Sequence, residues 1–158
     1  MKSLYAFVFS GVLLLSLSCS EEIKPTPYDY TTIFTGQNSK TWKLKFLEET
    51  LNGDVIETFN VACAADDKYI FYANTERLYE AVTGSKKCNA DEASTITDSW
   101  SFNNATATLA MLLPFFTTEG AIPFIVREVK SNKMELEYFL DEENTKSYRV
   151  HFDAVDED

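Results

Sequence analysis

The amino-acid sequence predicts an all-β domain of about eight or nine short antiparallel strands, closed into a barrel or folded into a sandwich. Apolar and polar residues alternate over a series of short segments, as expected for strands that bury one face. Turn sequences such as Asn52-Gly53 and Ser131-Asn132 separate these segments at hairpin spacing, which favours an up-and-down strand order. The outward positions carry charges that a lipid-facing barrel would not tolerate, among them Lys43, Lys45, Glu135 and Glu137.

The strands follow one another from residue 40 onward, after a short turn or helix at 31–38 in which Ile33 and Phe34 form an apolar plug. The alternating segments cover residues 40–46, 55–61, 68–73, 77–82, 98–102, 106–113, 124–129, 134–140 and 148–152. The longer connections are predicted as a loop at 83–97 and an apolar loop at 114–123.

The N-terminus has the pattern of a secretory signal. Lys2 precedes a run of apolar residues that ends at Ser18-Cys19, and this run is too short to span a membrane. The stretch resembles a bacterial lipoprotein signal, which is cut before a cysteine whose thiol then carries fatty acyl chains such as palmitate. Residues 1–18 are therefore predicted as a signal peptide and Cys19 as the lipid attachment site. The alternative is an ordinary cleaved signal with a chance cysteine nearby.

Residues 19–35 are predicted as a lipidated N-terminus and flexible tether. Lys24-Pro25-Thr26-Pro27 favours extended backbone and cannot enter a helix interior. Glu21-Glu22 resembles the short acidic signal that sends some lipoproteins to the outer face of the outer membrane. We therefore expect a protein anchored to that membrane and facing the cell exterior, with the periplasmic face, or a merely solvated linker, as the alternative.

Composition excludes several classes of partner. The formal net charge is −11, and removal of Lys2 with the signal makes it about −12. A chain this acidic is a poor ligand for nucleic acid or for anionic bilayers, so membrane contact is expected through the lipid alone. The 12 Phe, 8 Tyr and 2 Trp residues are enough to build a substantial core.

Two cysteines remain if Cys19 is lipidated. Cys63 and Cys88 suit one disulfide in an oxidising compartment, although two free thiols or a metal pair are alternatives. No metal or cofactor is predicted, because the chain has a single histidine, His151, and no Cys-x-x-Cys.

Four segments are similar to the lipocalin-like lipoproteins of Gram-negative bacteria. They are Ser39-Lys40-Thr41-Trp42-Lys43-Leu44, Cys63-Ala64-Ala65-Asp66-Asp67-Lys68-Tyr69-Ile70-Phe71, Gly84 to Cys88, and Ser99-Trp100-Ser101-Phe102. The resemblance implies a calycin-type barrel over residues 36–158, loops bridged by Cys63 and Cys88, and no enzymatic activity. The chain departs from secreted lipocalins at Lys40, where those proteins carry the glycine of Gly-x-Trp.

The carboxylate pairs and the histidine favour structural interpretations. Asp66-Asp67 supplies too few ligands for a calcium site by itself, and a solvated loop is preferred. Paired acids also serve glycosidases, but no sequence signal places any of these in a cleft. His151 alternates with two apolar residues and is predicted to point outward, with no nucleophile motif near it.

Aromatic residues are the remaining candidates for a site. Those predicted to face the barrel interior or a ligand are Trp42, Phe46, Trp100, Phe102 and Tyr138, and those predicted at a barrel mouth are Phe115, Phe116 and Phe124. So many rings favour a filled core over an open pocket. We therefore expect a non-enzymatic protein that binds a small apolar ligand or a partner protein. An accessory subunit of an envelope complex is the main alternative, and a hydrolase using loop carboxylates is a weaker one.

Overall fold

The computed structural model describes residues 30–155. The predicted signal peptide at 1–18, the lipidation site at Cys19 and the proline-containing tether therefore lie outside the described residues, as does the acidic end at 156–158. Within residues 30–155, no helix has the length and apolar character needed to cross a membrane.

The described chain forms one short helix and ten strands. They are α1 (Tyr30–Thr35), β1 (Ser39–Leu51), β2 (Asp54–Phe59), β3 (Lys68–Tyr72), β4 (Leu78–Val82), β5 (Thr95–Ser99), β6 (Ser101–Asn103), β7 (Thr108–Met111), β8 (Ile122–Val129), β9 (Lys133–Phe139) and β10 (Lys146–Ala154). Most of the predicted strands are present with shifted ends. The structure extends the first strand to Leu51 and divides the strand predicted at 98–102 into β5, which begins inside the segment expected to be a loop, and β6.

The strands form a nearly closed antiparallel barrel, which confirms the predicted all-β class and decides against a sandwich. Their order in the sheet is β5-β4-β3-β1-β10-β9-β8-β7-β6, and β2 pairs separately with β1. The two outermost strands, β5 and β6, are consecutive in the chain and are joined by Trp100. Since β5 pairs with β4 and β6 pairs with β7, this continuous segment brings the two sheet edges together.

The long strand β1 contains a bulge that corrects one prediction. The register of β1 against β10 shifts between Leu44 and Phe46, so the alternation of inward and outward side chains restarts there. Leu44 and Leu47 both face the core, whereas Phe46 lies on the outer face and stacks on His151 with ring centroids 4.2 Å apart. The prediction that Phe46 faces the interior is therefore wrong.

Helix α1 closes one end of the barrel. Phe34 is fully buried against Phe71, Trp100 and Phe102, and its carbonyl oxygen accepts a hydrogen bond of 3.0 Å from the Trp42 indole nitrogen. The predicted plug is thus present. Residues 30–35, which the sequence assigned to the tether, therefore form part of the barrel domain.

The barrel interior is filled by aromatic side chains. The largest fully buried residues are Trp42, Trp100, Tyr69, Tyr79, Phe34, Phe71, Phe124 and Phe152. Neighbouring rings meet at tilted or edge-on angles with centroids about 5–6 Å apart, the arrangement that aromatic quadrupoles prefer. The Tyr79 hydroxyl donates a 2.7 Å hydrogen bond to the Leu112 carbonyl, and burial raises the pKa of Tyr79 well above its ordinary value. A ligand therefore has to bind outside this packed interior.

Candidate binding groove at the barrel mouth

The loops at the barrel end opposite α1 enclose an open groove of about 580 Å³. We call it the mouth groove. It is lined by Leu47, Phe59, Asn60, Val61, Cys63, Cys88, Asn89, Phe115, Phe116 and Tyr148. Antiparallel pairing brings these residues together, because the segment after β2, the loop after β4 and the loop after β7 all emerge at the same end of the sheet.

One wall is built by the loop after β7, residues 112–121, which we call the mouth loop. Leu112 and Leu113 are buried and fix its start, and the Leu113 carbonyl accepts backbone hydrogen bonds that turn the chain at Phe116 and Thr117. The Phe115 and Phe116 rings then lie side by side at 4.7 Å. Both residues line the groove, at the mouth where the sequence placed them.

The third predicted mouth residue, Phe124, does not line the groove. It is fully buried on β8, where alternation turns its ring toward the core. Its centroid lies 6.3 Å from that of Phe116 and 5.9 Å from that of Tyr138. Phe124 therefore supports the mouth loop from beneath, and its placement at the mouth surface is corrected.

The opposite wall contains the disulfide. Cys63 and Cys88 are bonded, as predicted, and both line the groove. The bond ties the segment after β2 to the loop after β4, residues 83–94, which we call the disulfide loop. The free-thiol and metal-pair alternatives are thereby excluded.

The Asp66-Asp67 pair fixes the disulfide loop in place. Asp66 Oδ2 accepts hydrogen bonds from the Ser85 amide and hydroxyl at 2.8 and 2.7 Å, and Asp67 Oδ1 accepts one from the Gly84 amide at 2.8 Å. Hydrogen bonds from Ser85 lower the pKa of Asp66, whereas burial and the neighbouring carboxylates raise the pKa of Asp67. A side chain at Gly84 would collide with Asp66, since a Cβ would lie 2.2 Å from its Cγ. These acids therefore have a structural role in the loop.

The other predicted interior residues do not share a site with the mouth residues. Trp42 and Trp100 are buried in the core and do not line the groove. Tyr138 is half-buried beneath the groove, with its ring 6.2 Å from that of Phe116. Phe102 is half-buried at the α1 end, 5.2 Å from Phe34. The residues predicted to face the interior or a ligand are thus divided between the core, the two ends and, for Phe46, the outer face.

A polar network that the sequence did not reveal covers the outer face of β8, β9 and β10. Glu137 is only 1% exposed although it points outward, because Arg127, Arg149 and Ser147 surround its carboxylate. Burial raises the pKa of Glu137, but the hydrogen bonds and positive charges of these partners outweigh that effect and lower it. His151 points outward as predicted, and its Nε2 lies 3.0 Å from Glu48 Oε2.

The lining of the mouth groove defines what it can bind. Its lining residues are mostly aromatic and aliphatic and include the disulfide, and the residues with polar side chains among them are Asn60, Asn89 and Tyr148. A second groove of about 580 Å³ lies at the α1 end, but its lining includes Lys40 and Lys130 and no aromatic ring. Among the grooves of the described residues, the mouth groove is therefore best suited to an apolar ligand.

Several residues of the groove could not have been found from local pattern alone. Leu47 reaches it only because of the β1 bulge, and Asn60, Val61 and Asn89 lie in loops without a repeated pattern.

The residues described include no group of three or more His, Cys, Asp or Glu side chains arranged to hold a metal ion. No family model matches the chain, and no curated protein matches it significantly.

Proposed function

We propose that this protein is a lipid-anchored, non-enzymatic binding protein of the lipocalin-like type that takes a small apolar ligand in its mouth groove. One observation carries the proposal: an open apolar groove lined by four aromatic residues and a disulfide lies above a barrel that is otherwise filled. The ligand would therefore bind at the mouth, unlike a ligand enclosed within a hollow barrel.

The size of the groove is adequate for useful affinity. Removing about 400 Å² of apolar surface from water, counted over the ligand and the groove together, contributes roughly 10 kcal/mol. Lost translational and rotational freedom offsets part of this gain. Because the groove is open on one side, we expect affinities in the micromolar range and not the nanomolar affinities of enclosed sites.

Binding can be tested with the neutral fluorescent probe N-phenyl-1-naphthylamine and a chain that begins at Ser20, which includes the whole described barrel. The wild-type chain should give a saturable fluorescence increase. Val61→Trp should weaken probe binding at least tenfold, because an indole at this half-buried position fills the groove between Phe59 and the disulfide.

Ile33→Trp is the matched control, since Ile33 is also half-buried but lines the groove at the α1 end. It should leave probe affinity within twofold of wild type. If both variants lost probe affinity equally, or if Val61→Trp lost none, the probe would bind outside the mouth groove. Absence of probe binding by the wild-type chain would reject the proposal. It would leave the accessory-subunit alternative, which the exposed Val55 and Ile56 on the edge strand β2 favour.

The anchoring half of the proposal concerns Cys19. We expect the protein to be attached through acyl chains on Cys19 to the outer membrane, facing the exterior of the cell. Each buried methylene of such a chain contributes about 0.8 kcal/mol, so two or more chains suffice for stable attachment.

Cys19→Ala expressed in the native cells should therefore move the protein from the membrane fraction to the soluble fraction or leave it as uncleaved precursor without lipid. Metabolic labelling with a palmitate analogue distinguishes these forms. Cys63→Ala should keep the label, since that cysteine belongs to the disulfide. A Cys19→Ala protein that still carried the label would contradict the proposal.

A further inference from the structure

We infer that the mouth groove selects against anionic ligands and takes a neutral amphiphile, an apolar chain or ring that ends in a hydroxyl or amide group. The inference rests on the proposed function and specifies the class of ligand. It rests on the carboxylates that surround the disulfide loop and on the uncharged polar side chains, Asn60 and Asn89, that line the groove.

Three carboxylates cluster around the disulfide loop. Glu92 Oε2 accepts a 2.9 Å hydrogen bond from the Cys88 amide, and Asp66 and Asp67 hold the loop from the other side. The charges of Glu92 and Asp66 act on Asp67, which shows that the three groups are close enough to interact. The wall of the groove therefore has negative charge immediately behind it.

The lysines of the disulfide loop offset only part of this charge. Lys86 and Lys87 supply two positive charges beside the three carboxylates, and neither lysine lines the groove. The Lys87 ammonium donates a 2.7 Å hydrogen bond to the Glu92 carbonyl, outside the groove. With a formal net charge of −11 over the whole chain, an approaching anion is repelled at long range as well.

The polar side chains at the rim of the groove can hydrogen-bond to a ligand but carry no charge. Asn60 and Asn89 line the groove and are exposed, so their carboxamides can both donate to and accept from a ligand head group. No ionisable carboxylate or ammonium lines the groove among the described residues. A hydroxyl or amide head that reaches either carboxamide is thus satisfied, whereas a carboxylate meets no cation.

The test uses three ten-carbon ligands, decanol, decanoate and decylammonium, to displace N-phenyl-1-naphthylamine from the chain that begins at Ser20. In 20 mM salt, decanoate should bind at least fivefold more weakly than decanol and more weakly than decylammonium. Because salt screens charge repulsion, the gap between decanoate and decanol should narrow in 1 M NaCl.

Glu92→Gln separates charge repulsion from the lower hydrophobicity of decanoate. It removes one negative charge and keeps an acceptor for the Cys88 amide, so decanoate affinity should rise about twofold while decanol affinity stays constant. Glu76→Gln removes the same charge from an exposed turn at the α1 end and should change neither. The inference would be overturned if the affinity for decanoate were within fivefold of that for decanol. It would also be overturned if Glu92→Gln and Glu76→Gln changed decanoate affinity equally. If the naphthylamine probe itself did not bind, the proposed function would fail first.

Discussion

Trp42→Ala should lower the free energy of unfolding by about 3–5 kcal/mol, the range for truncating a large buried ring. Trp42 has no exposed surface and belongs to the hydrophobic core on β1. Its indole nitrogen also donates a hydrogen bond to the Phe34 carbonyl, so the truncation removes one of the contacts that attach α1 to the barrel end. Urea unfolding, monitored by far-ultraviolet circular dichroism, measures the loss.

Two further variants test the reason for this loss. Trp42→Phe keeps most of the ring but loses the hydrogen bond to Phe34, so we expect a loss of roughly 1–2 kcal/mol. Ile56→Ala removes a side chain that is 55% exposed on β2 and should change stability by less than about 0.5 kcal/mol. A Trp42→Ala variant as stable as Ile56→Ala would mean that Trp42 is not in the core.

Removing the disulfide should produce the second large effect. The Cys63→Ala/Cys88→Ala variant should lose roughly 3 kcal/mol, because the bond closes a loop with a sequence separation of 25 and restricts the unfolded chain. It should also weaken N-phenyl-1-naphthylamine binding, since both cysteines form part of the groove wall.

Reduction of the wild-type chain provides the control, and it should lower the urea midpoint as the double substitution does. The native hydrogen bonds that Asp66 and Asp67 accept from the disulfide loop remain available after reduction, so the barrel should still fold. If the double substitution and reduction each lowered the free energy of unfolding by less than about 1 kcal/mol, these hydrogen bonds, and not the covalent link, would fix the loop.

The strands of this fold were predictable because each one carries its own signal. In β9, Met134 and Leu136 alternate with charged residues, and the burial pattern of the structure follows that alternation from Lys133 to Leu136. The segment 98–102 is predicted as one strand, but the structure divides it at Trp100 between β5 and β6, and its role in closing the barrel depends on β4 and β7. Closure is a property of pairing between distant segments, and no single segment carries it.

Two errors show where alternation stops being informative. At Phe46, a bulge adds one residue to β1 and reverses the side chains that follow. At Glu137, the outward direction was correct but burial was not, because two arginines on neighbouring strands cover the carboxylate. Both depend on partner strands that local sequence does not identify.

The candidate site was predictable to a similar extent. An apolar loop with adjacent Phe115 and Phe116 is unusual at a barrel end, and it marked the mouth correctly. The other wall, with Val61 and Asn89, is more than 20 residues distant along the chain from Phe116 and comes into place through the topology and the disulfide. The charge behind that wall depends on loop hydrogen bonds that only the structure displays.

The most direct test of a mouth site is to locate the bound probe by nuclear magnetic resonance of the isotope-labelled chain that begins at Ser20. On titration with N-phenyl-1-naphthylamine, we expect the largest shifts at Val61, Asn89 and Phe116, which line the groove. The indole N–H signals of Trp42 and Trp100, both buried in the filled core, should move little. Large shifts of these two indole signals, with the mouth residues unchanged, would contradict the account.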